Sequence, residues 1–118
     1  VPVLTFHPLP LPGRYLDLVR MQSGELVSVL DHTSGGIDVV TIDITGPAVV
    51  TSVVPNIDVN PESVALVYKE CGDRLHVLTH IAFGGSGPQT RIHEIEMLSY
   101  TMNTNDFNEF LFGIVHKF

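Results

Sequence analysis

The sequence predicts a mostly-β domain, an antiparallel barrel or curled meander sheet of about six strands carrying one C-terminal α-helix. Three observations carry that expectation. Short apolar or alternating runs are bounded by glycine turns at Ser23-Gly24, Gly35-Gly36, Gly46-Pro47 and Gly72-Asp73, the punctuation of an antiparallel meander. The plan occurs twice: a shift of 48 positions lays Leu18-Val19 on Leu66-Val67, Gly24 on Gly72, Glu25 on Asp73, Val29-Leu30 on Val77-Leu78 and His32 on His80. Finally, Phe107, Phe110, Leu111, Ile114, Val115 and Phe118 recur at the spacing of one helix face.

A length of 118 residues suits one domain and buries roughly two-thirds of the surface that the unfolded chain exposes. The expected organisation is a single domain over 1–118, made of a Pro-rich arm at 1–13, a β meander at 14–101 and a helix at 106–118. With 44% hydrophobic and 16% charged residues, the chain is not of the disordered class. Six Lys and Arg stand against 13 Asp and Glu, a formal net charge of −7. Such an acidic chain lacks a phosphate-binding footprint, so nucleic acid is not an expected partner. No apolar run reaches the roughly 20 residues of a membrane-spanning helix, so a soluble protein without a membrane partner is expected. Cys71 is the one cysteine; it leaves no internal disulfide and agrees with a reducing, cytoplasmic compartment.

Residues 1–13 contain four prolines, which remove backbone donors and hold the chain extended, as in an edge segment or arm. The Pro-Leu-Pro-Leu-Pro run also has the composition of a polyproline ligand. Arg14 to Gln22 followed by Ser23-Gly24 and Glu25 to Leu30 reads as a hairpin, with Val27 and Val29 on one face and aligned with Leu75 and Val77. Ile37 to Ile44 returns as a strand, Gly46-Pro47 turns the chain, and Ala48 to Val54 is a short β-branched run.

Asn60-Pro61-Glu62-Ser63 before an apolar stretch and Cys71-Gly72 has the punctuation of a helix over 61–71. Against it, Val64 to Tyr68 is rich in β-formers and Gly72-Asp73 occupies the place of the first hairpin turn, which favours a strand from Val64 onward. Arg74 to Ile81 alternates well. Arg91 to Leu98 returns with imperfect parity, because Ile92 falls opposite Ile95 and Met97, and this predicts a bulge near Ile92 or His93. Asp106 with Glu109 three positions on marks the start of the terminal helix, and His116 and Lys117 suit its end.

Six histidines raise the question of a metal. On one strand His76 and His80 share a face about 13 Å apart, too far to hold one ion together. Only His80 and His93, facing across the glycine-rich hairpin at 84–87, are expected to approach each other. No metal ligand set, catalytic residue or cofactor is assigned, since no nucleophile-elbow, Walker or zinc-protease pattern is present.

With Thr in place of Ser, Asp31-His32-Thr33-Ser34-Gly35-Gly36 resembles the D-x-S-x-x-G motif of PilZ domains, small β-barrels with a C-terminal helix that bind cyclic di-GMP. The order of elements is similar as well. The resemblance implies that Asp31, Thr33 and Gly36 sit at the guanine and phosphate of a nucleotide ligand, with Arg14 and Arg20 as the upstream cations. The family's R-x-x-x-R is absent, since Arg14 and Arg20 are separated by five residues, and the segment from Gly36 to Asn60 is longer than usual. Without those arginines guanine stacking and phosphate pairing lose their main donors. The resemblance then implies a degenerate member that contacts a protein partner.

The repeat also resembles β-propeller blades, whose period of about 40 to 50 residues brackets the shift found here. The functional expectation is a non-enzymatic binding or interaction module with a protein partner or a second copy of itself. Two alternatives stand beside it: a small enzyme or receptor for a small-molecule ligand, with a pocket near the 84–87 loop and His76, His80 or His93, and a pair of propeller-type blades that assembles or belongs to a larger chain.

Overall fold

Each strand pairs with a neighbour in sequence, and the pairing breaks once. The computed structural model describes residues 3–32, 35–59, 61–81 and 89–108. Among them are eight strands: β1 (Arg14–Arg20), β2 (Leu26–Asp31), β3 (Gly36–Asp43), β4 (Val49–Val59), β5 (Ser63–Lys69), β6 (Arg74–Ile81), β7 (Gln89–Glu96) and β8 (Thr101–Asn108). They form two four-stranded antiparallel sheets, β1-β2-β3-β4 and β5-β6-β7-β8. The expected six strands are thus eight, and the expected barrel is two open sheets. The break falls after β4, which carries register shifts against β3 around Asn56 at φ 52° and then pairs again up to Val59 opposite Gly36.

The expected helix at 106–118 is corrected at its start, because Asp106 and Phe107 pair in β8 with Arg91 and Thr90; residues 109–118 lie outside the described residues. The ambiguity at 61–71 resolves as strand. The Glu62 N–H donates to the His80 carbonyl at 2.7 Å, a cross-strand partner that a helix start would not supply, and β5 follows at once.

The two first hairpins match at their turns, where Gly24 and Gly72 both take φ 89°. They differ by one residue of register. Val19 stands opposite Val27, whereas Tyr68 stands opposite Leu75, so the counterpart of Val19 is Tyr68 and not Val67. A slip of one residue exchanges the two faces of a strand, which a shift counted along the sequence does not register. The bulge expected near Ile92 is also absent, since β7 pairs with β6 and β8 without a register shift. Ile92 packs on the other face with Leu78 and Ala65, so each face of β7 carries one buried isoleucine.

The sheets stack through one apolar layer. Val27, Val29, Ile37, Val39, Val54 and Ile57 of the first sheet meet Leu66, Leu75, Val77, Ile95 and Met97 of the second. Each fully buried aliphatic side chain contributes about 1.5 to 3 kcal/mol, so this layer outweighs any single polar contact. The approach is closest between β1 and β5. There Leu66 N–H donates to Asp17 Oδ2 at 2.9 Å and Gln22 N–H to the Tyr68 hydroxyl at 3.3 Å, so β1 and β5 run in the same direction. At the far side Asp58 of β4 reaches β6 and β7. The second sheet therefore lies against the first with β5 beside β1 and the end of β4 reaching over β6 and β7.

Each sheet carries a further apolar cluster on its outward face. In the first it is Leu30, Val40 and Ile42 with Tyr15, Leu26 and Val50; in the second it is Leu78 and Ile92 with Ala65. Val29 and Val77, aligned by the repeat, both lie in the shared layer, while Leu30 and Leu78 both belong to the outward clusters.

Candidate functional site

The loop that carries the PilZ-like motif is held by its flanking strands. Arg14 Nη2 donates to Asp31 Oδ2 at 2.7 Å, a pair made directly opposite in the β1–β2 ladder. The turn closes through His32 N–H to the Gly36 carbonyl at 3.1 Å and Gly35 N–H to the His32 carbonyl at 3.0 Å. Behind it, Asp38 takes His32 Nε2 at 3.2 Å, Asn56 N–H at 2.9 Å and the Ser52 hydroxyl at 3.2 Å. A side chain at Gly36 would stand 2.9 Å from the His32 ring and 3.0 Å from Asn56 Oδ1, so glycine lets the imidazole close over the strand. At the mouth, Gly13 at φ 132° lies against the Asp31 carbonyl and Leu30, a conformation that L side chains rarely adopt.

Arg14, Asp31 and Gly36 are thus gathered at one end of the first sheet, and Thr33 lies outside the described residues. Arg20 is not with them. It ends β1 opposite Leu26, in an open groove of about 410 Å³ whose walls include Glu25, Leu26, Ile42, Asp43 and Thr45. Asp43 is committed to its own turn, accepting Thr45 N–H at 2.9 Å and the Thr45 hydroxyl at 2.7 Å. Those two bonds hold its carboxyl below the usual carboxylate range.

The densest polar cluster lies inside the shared layer. Asp58, 6% exposed, accepts the Thr79 hydroxyl at 2.7 Å and His93 Nε2 at 3.2 Å on Oδ2, and Arg91 Nη1 at 3.1 Å on Oδ1. The other ring nitrogen of His93, Nδ1, is 3.0 Å from the Thr104 hydroxyl. Nε2 also lies 3.1 Å from the Thr79 hydroxyl, so both ring nitrogens of His93 have partners. Hydroxyl, imidazole and carboxylate stand in the order of a proton relay. Here the imidazole is fully buried, and the carboxylate is spent on three donors that join β4 to β6 and β7. Its chemistry is that of a clamp.

The histidines do not converge. His76 and His80 lie on the outward face of the second sheet, His76 Nε2 at 3.0 Å from Glu94 Oε2 and His80 Nδ1 at 3.4 Å from the Thr90 hydroxyl. His93 points into the shared layer, so the approach expected between His80 and His93 is overturned: they occupy opposite faces. Glu94 also accepts Arg74 Nη1 at 3.0 Å. The His76 bond, aided by the Arg74 charge, keeps the Glu94 carboxyl below the usual range. The loop at 82–88, around which the alternative pocket was placed, lies outside the described residues.

Sequence reasoning missed Asp58. Its partners stand 21 to 35 positions away, and a lone Asp in a β-branched run gives no local sign of burial. Compared with protein-family models, with curated proteins and with solved structures, the chain finds no match.

Proposed function

We propose that this chain is a non-enzymatic interaction module built of two adjacent propeller-type blades. The observation that carries the reading is the stacking of two consecutive four-stranded meanders with their first strands side by side and running in the same direction. Blades of a propeller stack in this way, each fourth strand leading back to the next first strand; the link from β4 to β5 spans only residues 60–62. An internal blade needs two apolar faces. Both sheets supply them, one in the shared layer and one outside it. The polar side chains of the layer serve the joint between sheets, which supports binding over catalysis.

The reading is tested by duplicating the chain in tandem. Stacked blades stabilise one another through nearest-neighbour interfaces, so the tandem protein should melt several degrees above the single chain in one cooperative transition. An unchanged midpoint would mean that the outward faces do not stack, and the blade reading would fall.

A further inference from the structure

We propose that residues 3–7 form an exchanged strand that adds to the β8 edge of a second copy of this chain. The inference rests on the reading as an interaction module and names its partner; it does not use the blade geometry. The donor is the segment Val3-Leu4-Thr5-Phe6-His7. It is rich in β-formers, yet belongs to no strand, and Val3, Leu4 and Phe6 are 87%, 78% and 81% exposed. Single exposed apolar residues are ordinary, whereas three within four positions form a patch that calls for a partner. The base of the arm is pinned, because the Tyr15 hydroxyl donates to the Leu11 carbonyl at 3.0 Å and Gly13 abuts Asp31. Between base and tip, Pro8, Pro10 and Pro12 stiffen a spacer of about 3.1 Å per residue. The arm is an exposed, β-forming segment at the end of a stiff spacer.

The acceptor emerges from comparing the sheet edges. β1 and β5 lie against each other at the joint, where the bulge at Asp17 takes the Leu66 N–H. β4 is guarded by Pro55 and by the bulge around Asn56, devices that discourage strand addition. β8 has neither. It pairs with β7 at eight successive positions without a register shift, contains no Pro, Lys or Arg, and is exposed from Thr101 to Asn105. An edge of that kind offers a row of backbone donors and acceptors to an extended segment. The charge balance favours a second copy as the source. Copies with a net charge of −7 repel, but residues 3–7 contain no acidic residue and residues 101–105 no charged one, so the pairing joins uncharged segments. Donor and acceptor on one chain allow a reciprocal, closed dimer.

Sedimentation velocity on the full chain, from about 1 to about 100 µM, decides it. The chain should reach dimer size, and Phe6→Asp in the arm or Asn105→Lys on the edge should each raise the dimer dissociation constant at least tenfold while leaving the far-UV circular dichroism unchanged. Mixing the two variants should restore association, since one keeps an intact edge and the other an intact arm. A chain monomeric throughout the range overturns the exchange, as does association that survives Phe6→Asp. A monomer whose β8 amides lose exchange protection on Phe6→Asp overturns it too, by showing the arm folded back on its own edge. None of these outcomes alters the tandem-melting test, so the two readings fail separately.

Discussion

Asp17 Oδ2 accepts the backbone N–H of Leu66 at 2.9 Å across the joint between the two sheets. Asp17 stands at the register shift of β1 with φ 56°; its other carboxylate oxygen accepts Leu18 N–H at 2.9 Å. The Ser28 hydroxyl donates to its carbonyl at 2.6 Å. The bulge thus aims a carboxylate at an N–H of the strand that opens the second sheet. Asp17→Ala should cost about 1 to 3 kcal/mol, the penalty for leaving such a donor unanswered. Asp17→Asn retains an acceptor and tolerates positive φ, so its loss in chemical denaturation should be less than half as large. Equal losses would dismiss the bond as a contributor.

Asp58 binds the far side of the same joint. Asp58→Ala removes the acceptor shared by Thr79, Arg91 and His93 and should cost about 3 to 5 kcal/mol. A double-mutant cycle with Arg91→Ala should show a coupling of about 0.5 to 3 kcal/mol. Additive losses would mean that Asp58 and Arg91 act separately.

Gly13 and Gly24 separate crowding from strain. Both have positive φ, but a Cβ at Gly13 would stand 2.6 Å from the Asp31 carbonyl, whereas one at Gly24 meets nothing within 4 Å. Gly24→Ala should cost about 1 kcal/mol from backbone strain alone. Gly13→Ala should lower the melting temperature distinctly more and shift the NMR signals of Arg14 and Asp31. Equal effects would place the cost in φ and not in the close approach.

Glu94 gives the acid limb of stability a testable contribution. Its carboxyl is held low mainly by His76, so its folded value lies below its unfolded one. A group of that sign contributes fully above the unfolded value of about 4.3 and loses its contribution as pH falls through the folded value. The melting temperatures of the native chain and Glu94→Gln should differ at pH 6 and converge toward pH 3. A gap that persists at pH 3 would assign the effect to packing.

Much of the ladder was legible because its signals are local. Gly24 and Gly72 mark the hairpins they close, and Arg74 to Ile81 alternates as β6 does. β8 escaped notice because Thr101-Met102-Asn103-Thr104-Asn105 has almost no apolar alternation, while Phe107 and its successors fit a helix period better than a strand. Ile92 misled for a related reason: a strand buried on both faces looks like a strand out of phase. Of the residues that the PilZ-like resemblance groups, Arg14 and Asp31 lie together in the structure because they pair across one hairpin. Arg20 shares their strand but points to its other end, a distinction that proximity in sequence does not carry. Asp58, whose partners come from two later strands, had no signal to read.

The confinement of every ladder to consecutive strands has a kinetic meaning. Each hairpin closes a short loop at small entropic cost, so either meander assembles from contacts close in sequence, the kind that form early in folding. The contacts of Asp17 with Leu66 and of Asp58 with His93 span 49 and 35 positions and come only when finished sheets meet. Closing the joint is therefore the step that removes the shared apolar layer of both sheets from solvent.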